Sequence, residues 1–397
     1  MRILYITLEN MSLNKGSVVH IREIVSGLRK LKHQVGLIAS SFNKSEKADR
    51  FYNLDAPICF LLKLFRFKRQ PYIISSIFLF IYLFGILSRY DIIYARDYHT
   101  AIVALFPRLI FKKKLVFEIN GIANEEQRLK SHSLWNGILT FLIQKAERLA
   151  TACSDRVVSV TPQIVSYLLT NLYCPASKVD VIGNGVDITR FYPIHEEALL
   201  RERKRRMGIG REEIVIAFVG NLARWQGVNI LIDSAMALLS QGEKLKLLVV
   251  GDGPLKGELM RQASRSGFGK EVIFTGMMEY EDIPLLINLA DICVAPFISR
   301  RNRLTGVSPL KVFEYLACGK PVVASRIEGL EFVEGEGGAG RLVGPEDAEG
   351  LERTLNDLIK SPQERIRMGQ RGVELVREKF SWESSATKIE KVLRGLV

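Results

Sequence analysis

Cysteine is scarce in this chain: five in 397 residues, at Cys59, Cys153, Cys174, Cys293 and Cys318, an odd number with no C-x-x-C pair. That excludes a zinc-finger spacing and argues against a disulfide framework, giving the expectation of reduced thiols in a cytosolic protein. The opening Met1-Arg2-Ile3-Leu4-Tyr5-Ile6 lacks the marks of a signal peptide and reads as a core strand, so secretion is not expected. Long apolar runs are missing too. Residues 72–87 carry no charge but fall short of the ~20 apolar residues of a spanning helix, and a buried core helix is expected there. There is no aromatic RNA-binding strand motif, and no Asp-x-Asp triplet to hold a divalent ion against a diphosphate.

Acid is in short supply in one half only. Lys and Arg outnumber Asp and Glu by 26 to 14 over residues 1–190 and by 30 to 29 beyond, so nearly all of the net charge of +13 is N-terminal. A basic half suits an anionic membrane face or a phosphate-bearing substrate, and with no nucleic-acid module in the sequence no nucleic-acid partner is expected. Residues 57–69 mix Phe60, Phe65 and Phe67 with Lys63, Arg66, Lys68 and Arg69, a composition suited to an interfacial contact with anionic lipid. The basic run Arg201 to Arg206 reads instead as a solvated helix end.

What is present is a well-cored globular chain, 47% hydrophobic and 25% charged. Short apolar strand candidates alternate with longer helical patterns, which predicts an α/β protein with parallel sheets. Strands are expected at residues 3–7, 34–39, 92–94, 114–118 and 156–160, then at 214–219, 245–250, 272–274, 292–295 and 321–324. The pattern is a doubly wound fold occurring twice, with a boundary near residue 190.

The stretch from Gly306 to Ser325 carries the most chemical information. Ser308 is a good N-cap and Pro309 suits the first helical position, which leaves the amides of Leu310 and Lys311 facing outward at an end that attracts phosphate. Lys311 and Glu314, three apart, share one face; the plain alternative is a solvated surface pair. Doubly wound sheets bind ligands beyond the carboxyl ends of their strands. The residues expected there are Gly16, Arg96, His99, Asn120, Gly121, Gly220, Asn221, Arg224, Gly251 to Pro254, Gly276 and Met277.

Four segments taken in series are specific: Val181-Ile182-Gly183-Asn184-Gly185-Val186-Asp187, Phe218-Val219-Gly220-Asn221-Leu222, Val249-Val250-Gly251-Asp252-Gly253-Pro254, and Gly306 through Ala324. In order and spacing the chain resembles glycosyltransferase family 4 over almost its whole length, in a subgroup with a Trp-x-Gly loop and a Ser-Pro-Leu-Lys helix start. Phe380-Ser381-Trp382 resembles that family's final helix, which crosses back onto the first domain. The resemblance implies a GT-B fold. Residues 1–190 would form an acceptor-binding Rossmann-like domain, joined by a helix at about 380–397, and residues 191–379 would bind a nucleotide-diphosphate sugar. It also implies transfer with retention and no obligatory metal or other cofactor.

Residue roles follow from the same resemblance. Glu314 matches the family's ribose-binding Glu, while its sugar-contacting Glu would stand at Gly306 and is absent. Asn221 and Gln226 replace a common Arg and Lys, so Arg224 and Lys311 are expected to neutralise the diphosphate. Gly16, Gly220, Asn221, Gly276, Met277, Gly306, Val307, Ser308 and Leu310 would complete the donor site. Asn120 replaces a His near the reacting sugar, and His99 is the nearby titrating group. Arg96, Glu125, Glu126 and Asn184 are expected on the acceptor side. The acceptor itself is expected to be a lipid-linked glycan at the inner face of a membrane, in polysaccharide or cell-envelope assembly. The absences at Gly306 and Asn120 also leave open an inactive scaffold of a glycan-assembly complex, or a sugar-nucleotide epimerase.

Overall fold

Short runs of branched and aliphatic residues form the strands, and because both sheet faces are covered these runs are apolar at nearly every position. The computed structural model describes residues 1–11, 15–39, 72–128, 133–299, 302, 306–335 and 338–397. The basic and aromatic stretch 57–69, with Cys59, lies outside the described residues. The chain divides into two units, Met1–Asn184 with Trp382–Val397, and Gly185–Ser381; the division thus falls before residue 190.

In the first unit, β1 (Arg2–Ile6), β2 (Gln34–Ile38), β3 (Ile92–Arg96), β4 (Lys114–Ile119), β5 (Arg156–Ser159) and β6 (Val179–Val181) form one parallel sheet. Its order is β2-β1-β3-β4-β5-β6. Leu4, Ile6, Ile93, Leu115, Phe117 and Val157 line one face. Against it pack α2 (Tyr72–Ile86), α3 (Tyr98–Ile110), α5 (Leu134–Cys153) and α6 (Pro162–Thr170), with the short α4 (Ala123–Arg128) beside α5. By the two-residue alternation of a strand, Ile3, Tyr5, Tyr94 and Glu118 point to the other face. There α1 (Gly16–Lys30) brings His20 to Glu118. The final helix Trp382–Arg394 belongs to this unit and packs on α1 so closely that a Cβ at Gly27 would lie 2.5 Å from that of Ala386.

Residues 72–87 are not the buried core helix that their lack of charge suggests. Leu79 and Leu83 of α2 are buried, but Ile77 and Ile81, four apart on the opposite stripe, are exposed. Among the described residues no helix is long and apolar enough to cross a membrane.

The second unit holds β7 (Ile214–Val219), β8 (Leu245–Val250), β9 (Val272–Gly276), β10 (Ile292–Ala295), β11 (Val322–Ser325) and β12 (Gly340–Val343), all parallel. The order β12-β11-β10-β7-β8-β9 reverses between β7 and β10, the switch point at which a doubly wound sheet opens a crevice. Around it lie α7 (Glu197–Arg206), α8 (Val228–Ser240), α9 (Lys256–Arg265), α10 (Ile283–Asn288), α11 (Leu310–Ala317), α12 (Ala348–Ile359) and α13 (Pro362–Lys379); Trp382–Arg394 is then α14. The basic run on α7 is a solvated face, with Arg201 paired to Glu197 and Arg205 and Arg206 to Glu202. Cys153, Cys174, Cys293 and Cys318 are free thiols.

Helix α11 is fixed from two sides. The Val219 amide at the end of β7 donates to the Tyr315 hydroxyl at 2.7 Å. On the other side α13 approaches through two glycines: a Cβ at Gly369 would lie 2.1 Å from the Gly319 carbonyl oxygen, and one at Gly372 would lie 2.9 Å from Leu316 Cδ2. Gly369→Ala should therefore overpack this contact and lower the unfolding free energy by ~1–3 kcal/mol. Urea unfolding checks this, as a lower midpoint at unchanged slope.

Candidate functional site

Each unit gathers its polar groups at the carboxyl ends of its strands. In the second unit the backbone comes first. Gly220, Gly251 and Gly276, at the ends of β7, β8 and β9, have φ of +146°, +129° and +73°. The Gly220 amide donates to Val250 O at 2.9 Å and the Gly251 amide to Gly276 O at 3.0 Å. A Cβ at Gly251 would lie 2.0 Å from Gly220 O, so only glycine permits this approach. The loop after β7 then turns back at Gly227, where a Cβ would stand 1.8 Å from the Pro296 carbonyl oxygen beyond β10.

Into the space left above Gly220 comes Lys311. Its Nζ lies 3.8 Å from the centre of the Phe218 ring and 5.5 Å from that of Phe297, and donates to Gln226 Oε1 at 2.7 Å. A Cβ at Gly220 would sit 2.6 Å from this ammonium. Burial lowers the Lys311 pKa to about 7, against a smaller upward pull from Glu314. Glu314 is 7% exposed and accepts a bond from the Tyr280 hydroxyl at 3.2 Å, while the Arg190 guanidinium lies 4.9 Å from the Tyr280 ring centre. Burial raises the Glu314 pKa to about 7, with Tyr280, Lys311 and Arg190 opposing. The pair is therefore not a solvated surface pair.

The helix start differs from the sequence expectation. Helix α11 begins at Leu310, and Pro309, with ψ 96°, occupies the cap position without a side-chain bond, so Ser308 is not the N-cap. The Pro309 carbonyl accepts from the amides of Val312 and Phe313, which leaves those of Leu310 and Lys311 at the open end of the helix. Gly306 has φ +65°, a conformation that a glutamate would adopt only with strain. Val307 and Leu310 are half-buried. Lys311, Gln226, Gly220 and Phe218 thus come together, whereas Arg224 and Asn221 are exposed on the loop and Met277 is 62% exposed beyond Gly276.

In the first unit the centre is Glu118, which motif reading passes over. It is 1% exposed near the end of β4. The Tyr94 hydroxyl donates to its Oε2 at 2.6 Å and the Asn120 amide to its Oε1 at 2.6 Å. His20 Nε2 lies 2.8 Å and Arg96 Nε 3.4 Å from the same Oε1. Burial pushes the Glu118 carboxyl up, but His20, Arg96 and Tyr94 outweigh it and hold it at about 2. Arg96 is therefore a buried residue of β3, paired with Glu118 and with Glu9 at 3.6 Å, and not a loop residue. Asn184 Oδ1 lies 2.7 Å from His20 Nδ1.

Next to this cluster Asp97 caps α3 through the Thr100 amide at φ +93° and ψ 153°, a strained conformation of the kind that collects at functional sites. Burial raises its carboxyl to about 6. His99 is half-buried with its ring 3.9 Å from that of Tyr98, and burial lowers its pKa. Glu125 pairs with Arg128 at 3.1 Å, Gly16 is the exposed first residue of α1, and the side chain of Glu126 lies outside the described residues. The signal for Glu118 was an acid near the end of an apolar strand, which must find partners to be buried.

Two stability measurements follow. Because the unfolded chain holds the Lys311 proton up to about pH 10.5 and the native state releases it near 7, wild type should gain stability relative to Lys311→Met as pH rises between those values. For Glu118 the folded pKa is depressed, so its contribution is present above about 4.5 and lost as pH falls through 2. Glu118→Gln should cost ~3 kcal/mol at neutral pH, and the deficit should shrink on acidification. Urea titrations across pH read both.

Comparison with known proteins agrees with this architecture. Residues 14–190 match Glycosyltransferase Family 4 and residues 201–375 match Glycosyl transferases group 1. An uncharacterized glycosyltransferase of Methanocaldococcus jannaschii is 25% identical over 75% of this chain and 73% of its own length. A D-inositol 3-phosphate glycosyltransferase of Corynebacterium efficiens is 31% identical over 60% of this chain, which spans 56% of that relative. Among solved structures, Anabaena HepE in complex with UDP superposes with a TM-score of 0.74 at 19% identity, covering 100% of both chains. The sucrose-phosphate synthase of Thermosynechococcus elongatus gives 0.77 at 20% identity, over 100% of this chain and 98% of its own. These likenesses establish a GT-B fold, and with the two family matches lying end to end along the two Rossmann-like units, the chain belongs to the family 4, group 1 glycosyltransferases.

Proposed function

We propose that this protein is a retaining transferase that moves a sugar from a nucleotide-diphosphate sugar to a lipid-linked glycan acceptor, in polysaccharide or cell-envelope assembly. The observation that carries the donor half is the Lys311 ammonium lodged over Gly220 beside the open end of α11. A diphosphate placed there meets two free helix amides, the glycine backbone and a cation that becomes fully charged when an anion arrives. Glu314 accepts from the ribose hydroxyls, and Arg224, exposed on the turn that ends at Gln226, supplies the second cation. The HepE structure solved with UDP supports a nucleotide donor of this kind.

In the proposed reaction the bond from the anomeric carbon to the diphosphate oxygen breaks first. The electron pair leaves with the diphosphate, and the acceptor hydroxyl enters on the face just vacated, its oxygen bonding the anomeric carbon while its proton passes to the departing diphosphate oxygen. Stabilising that leaving charge falls to Lys311, Arg224 and the amides of Leu310 and Lys311, so no divalent ion or other cofactor is required in this scheme. On the acceptor side Asn120 keeps its carbonyl oxygen for a sugar hydroxyl while its amide donates to Glu118. In this scheme His99 and Glu125 orient the acceptor hydroxyl. Arg96 and Asn184 act through Glu118 and His20 as positioning residues. The basic first half favours a lipid-linked acceptor met by a cytoplasmic protein resting on the inner membrane face.

Gly306 is the observation that favours the scaffold alternative. Release of nucleoside diphosphate from a panel of nucleotide sugars separates the two, since a scaffold binds without turnover. With the active donor, Lys311→Gln and Arg224→Ala should each lower turnover by ~10²–10³. Unchanged turnover in both would remove the basis of the donor assignment.

A further inference from the structure

Among its described residues the first unit leaves a broad apolar surface exposed. Helix α3 packs on α2 and on α5, so the three lie side by side. On α2, Ile77 and Ile81 are 54% and 62% exposed. On α3, Phe106, Leu109 and Ile110 form one outward stripe, all more than half exposed, and the Phe106 ring lies 6.1 Å from that of Phe80 on α2. On α5 the first turns expose Leu134 at 89% and Trp135 at 81%, and Ile138, Phe141 and Leu142 follow, each more than half exposed. Soluble monomers seldom show this much apolar surface on neighbouring helices.

The exposed charges on these three helices are basic, while Arg108 is paired with Asp155 at 2.6 Å. Helix α2 has no charged residue, α3 has Arg108, and α5 has Lys145, Glu147 and Arg148. The single acid, Glu147, is 1% exposed and turned inward, where it accepts from the Ala123 amide and the Tyr167 hydroxyl. The exposed bases lean on aromatic rings, Lys145 Nζ at 5.1 Å from Phe141 and Arg148 at 4.6 Å from Tyr173. Lys112, Lys113 and Lys114 follow directly after α3. Apolar and aromatic side chains with bases beside them, and no exposed acid on these three helices among the described residues, match the boundary between acyl chains and anionic headgroups.

We propose that the outer face of α2, α3 and α5 docks on an anionic lipid bilayer. This deepens the proposed reading, and the choice of lipid as the occupant rests on it. A second copy of the chain fits the same face less well, because a two-fold interface would press two surfaces of the same positive sign together.

The test is co-sedimentation of the full chain with vesicles of phosphatidylcholine alone and of phosphatidylcholine with phosphatidylglycerol. Release of nucleoside diphosphate without acceptor is followed in parallel. Two double variants are compared, Trp135→Ser with Phe141→Ser and Lys145→Gln with Arg148→Gln; all four positions are exposed, and unchanged urea midpoints establish that the variants fold. Wild type should pellet with the anionic vesicles. Each double variant should weaken that binding about tenfold or more while donor hydrolysis stays at the wild-type level. Vesicle binding with no donor hydrolysis by wild type would support the docking face while removing the transfer reading. The docking proposal is overturned if wild type stays in the supernatant or if both variants bind as tightly as wild type. It is equally overturned if Trp135→Ser with Phe141→Ser converts a wild-type dimer to monomer without changing vesicle binding.

Discussion

An ammonium pressed against two aromatic rings is poorly solvated, and the ligand end of the second unit is organised by that constraint. Lys311 reaches its place because Gly220 has no Cβ, and it stays there because Gln226 accepts its bond and the Tyr315 hydroxyl pins α11 to the end of β7. Burial lowers its pKa to about 7, so part of its charge is lost near neutral pH. In the proposed reaction a diphosphate would reverse this, since a multiply charged anion at contact distance favours the protonated lysine. The electrostatic interaction would then strengthen as charge moves onto the leaving diphosphate.

The first unit handles a buried charge in the opposite way. Glu118 is held ionised because His20, Arg96, Tyr94 and Asn120 surround it. A carboxylate so fully engaged has little left to offer a substrate. Its effect is to lock the ends of β3 and β4 and to aim the neighbouring side chains, with the strained Asp97 beside them. One unit therefore holds a cation whose charge burial weakens, and the other a carboxylate whose charge its neighbours sustain.

Much of the fold was legible from periodicity alone. The strands β7, β8 and β10 lie where apolar runs bounded by turn residues put them. The strands β6 and β12 escaped, because Val179–Val181 and Gly340–Val343 are short edge strands containing an Asp and an Arg, with no uninterrupted apolar run. The Ser-Pro sequence pointed to a Ser308 cap, but Pro309 takes an extended ψ and its own carbonyl accepts the first helical bonds. Helical spacing placed Lys311 and Glu314 on one face and could not reveal their burial. The groups that enclose them, Phe218, Gln226 and Tyr280, come from other loops and strands. The Glu118 cluster was hidden for the same reason, being assembled from α1, β3 and β4.

If Lys311 gives up part of its charge to burial and regains it on meeting a diphosphate, proton uptake must accompany binding. The most direct measurement is calorimetric titration of the full chain with a nucleoside diphosphate near pH 8, repeated in buffers of differing ionisation enthalpy, for wild type and Lys311→Gln. Wild type should show net proton uptake on binding, and the variant none attributable to this site. Equal proton uptake by both proteins would contradict it, as would nucleotide binding of equal strength in both.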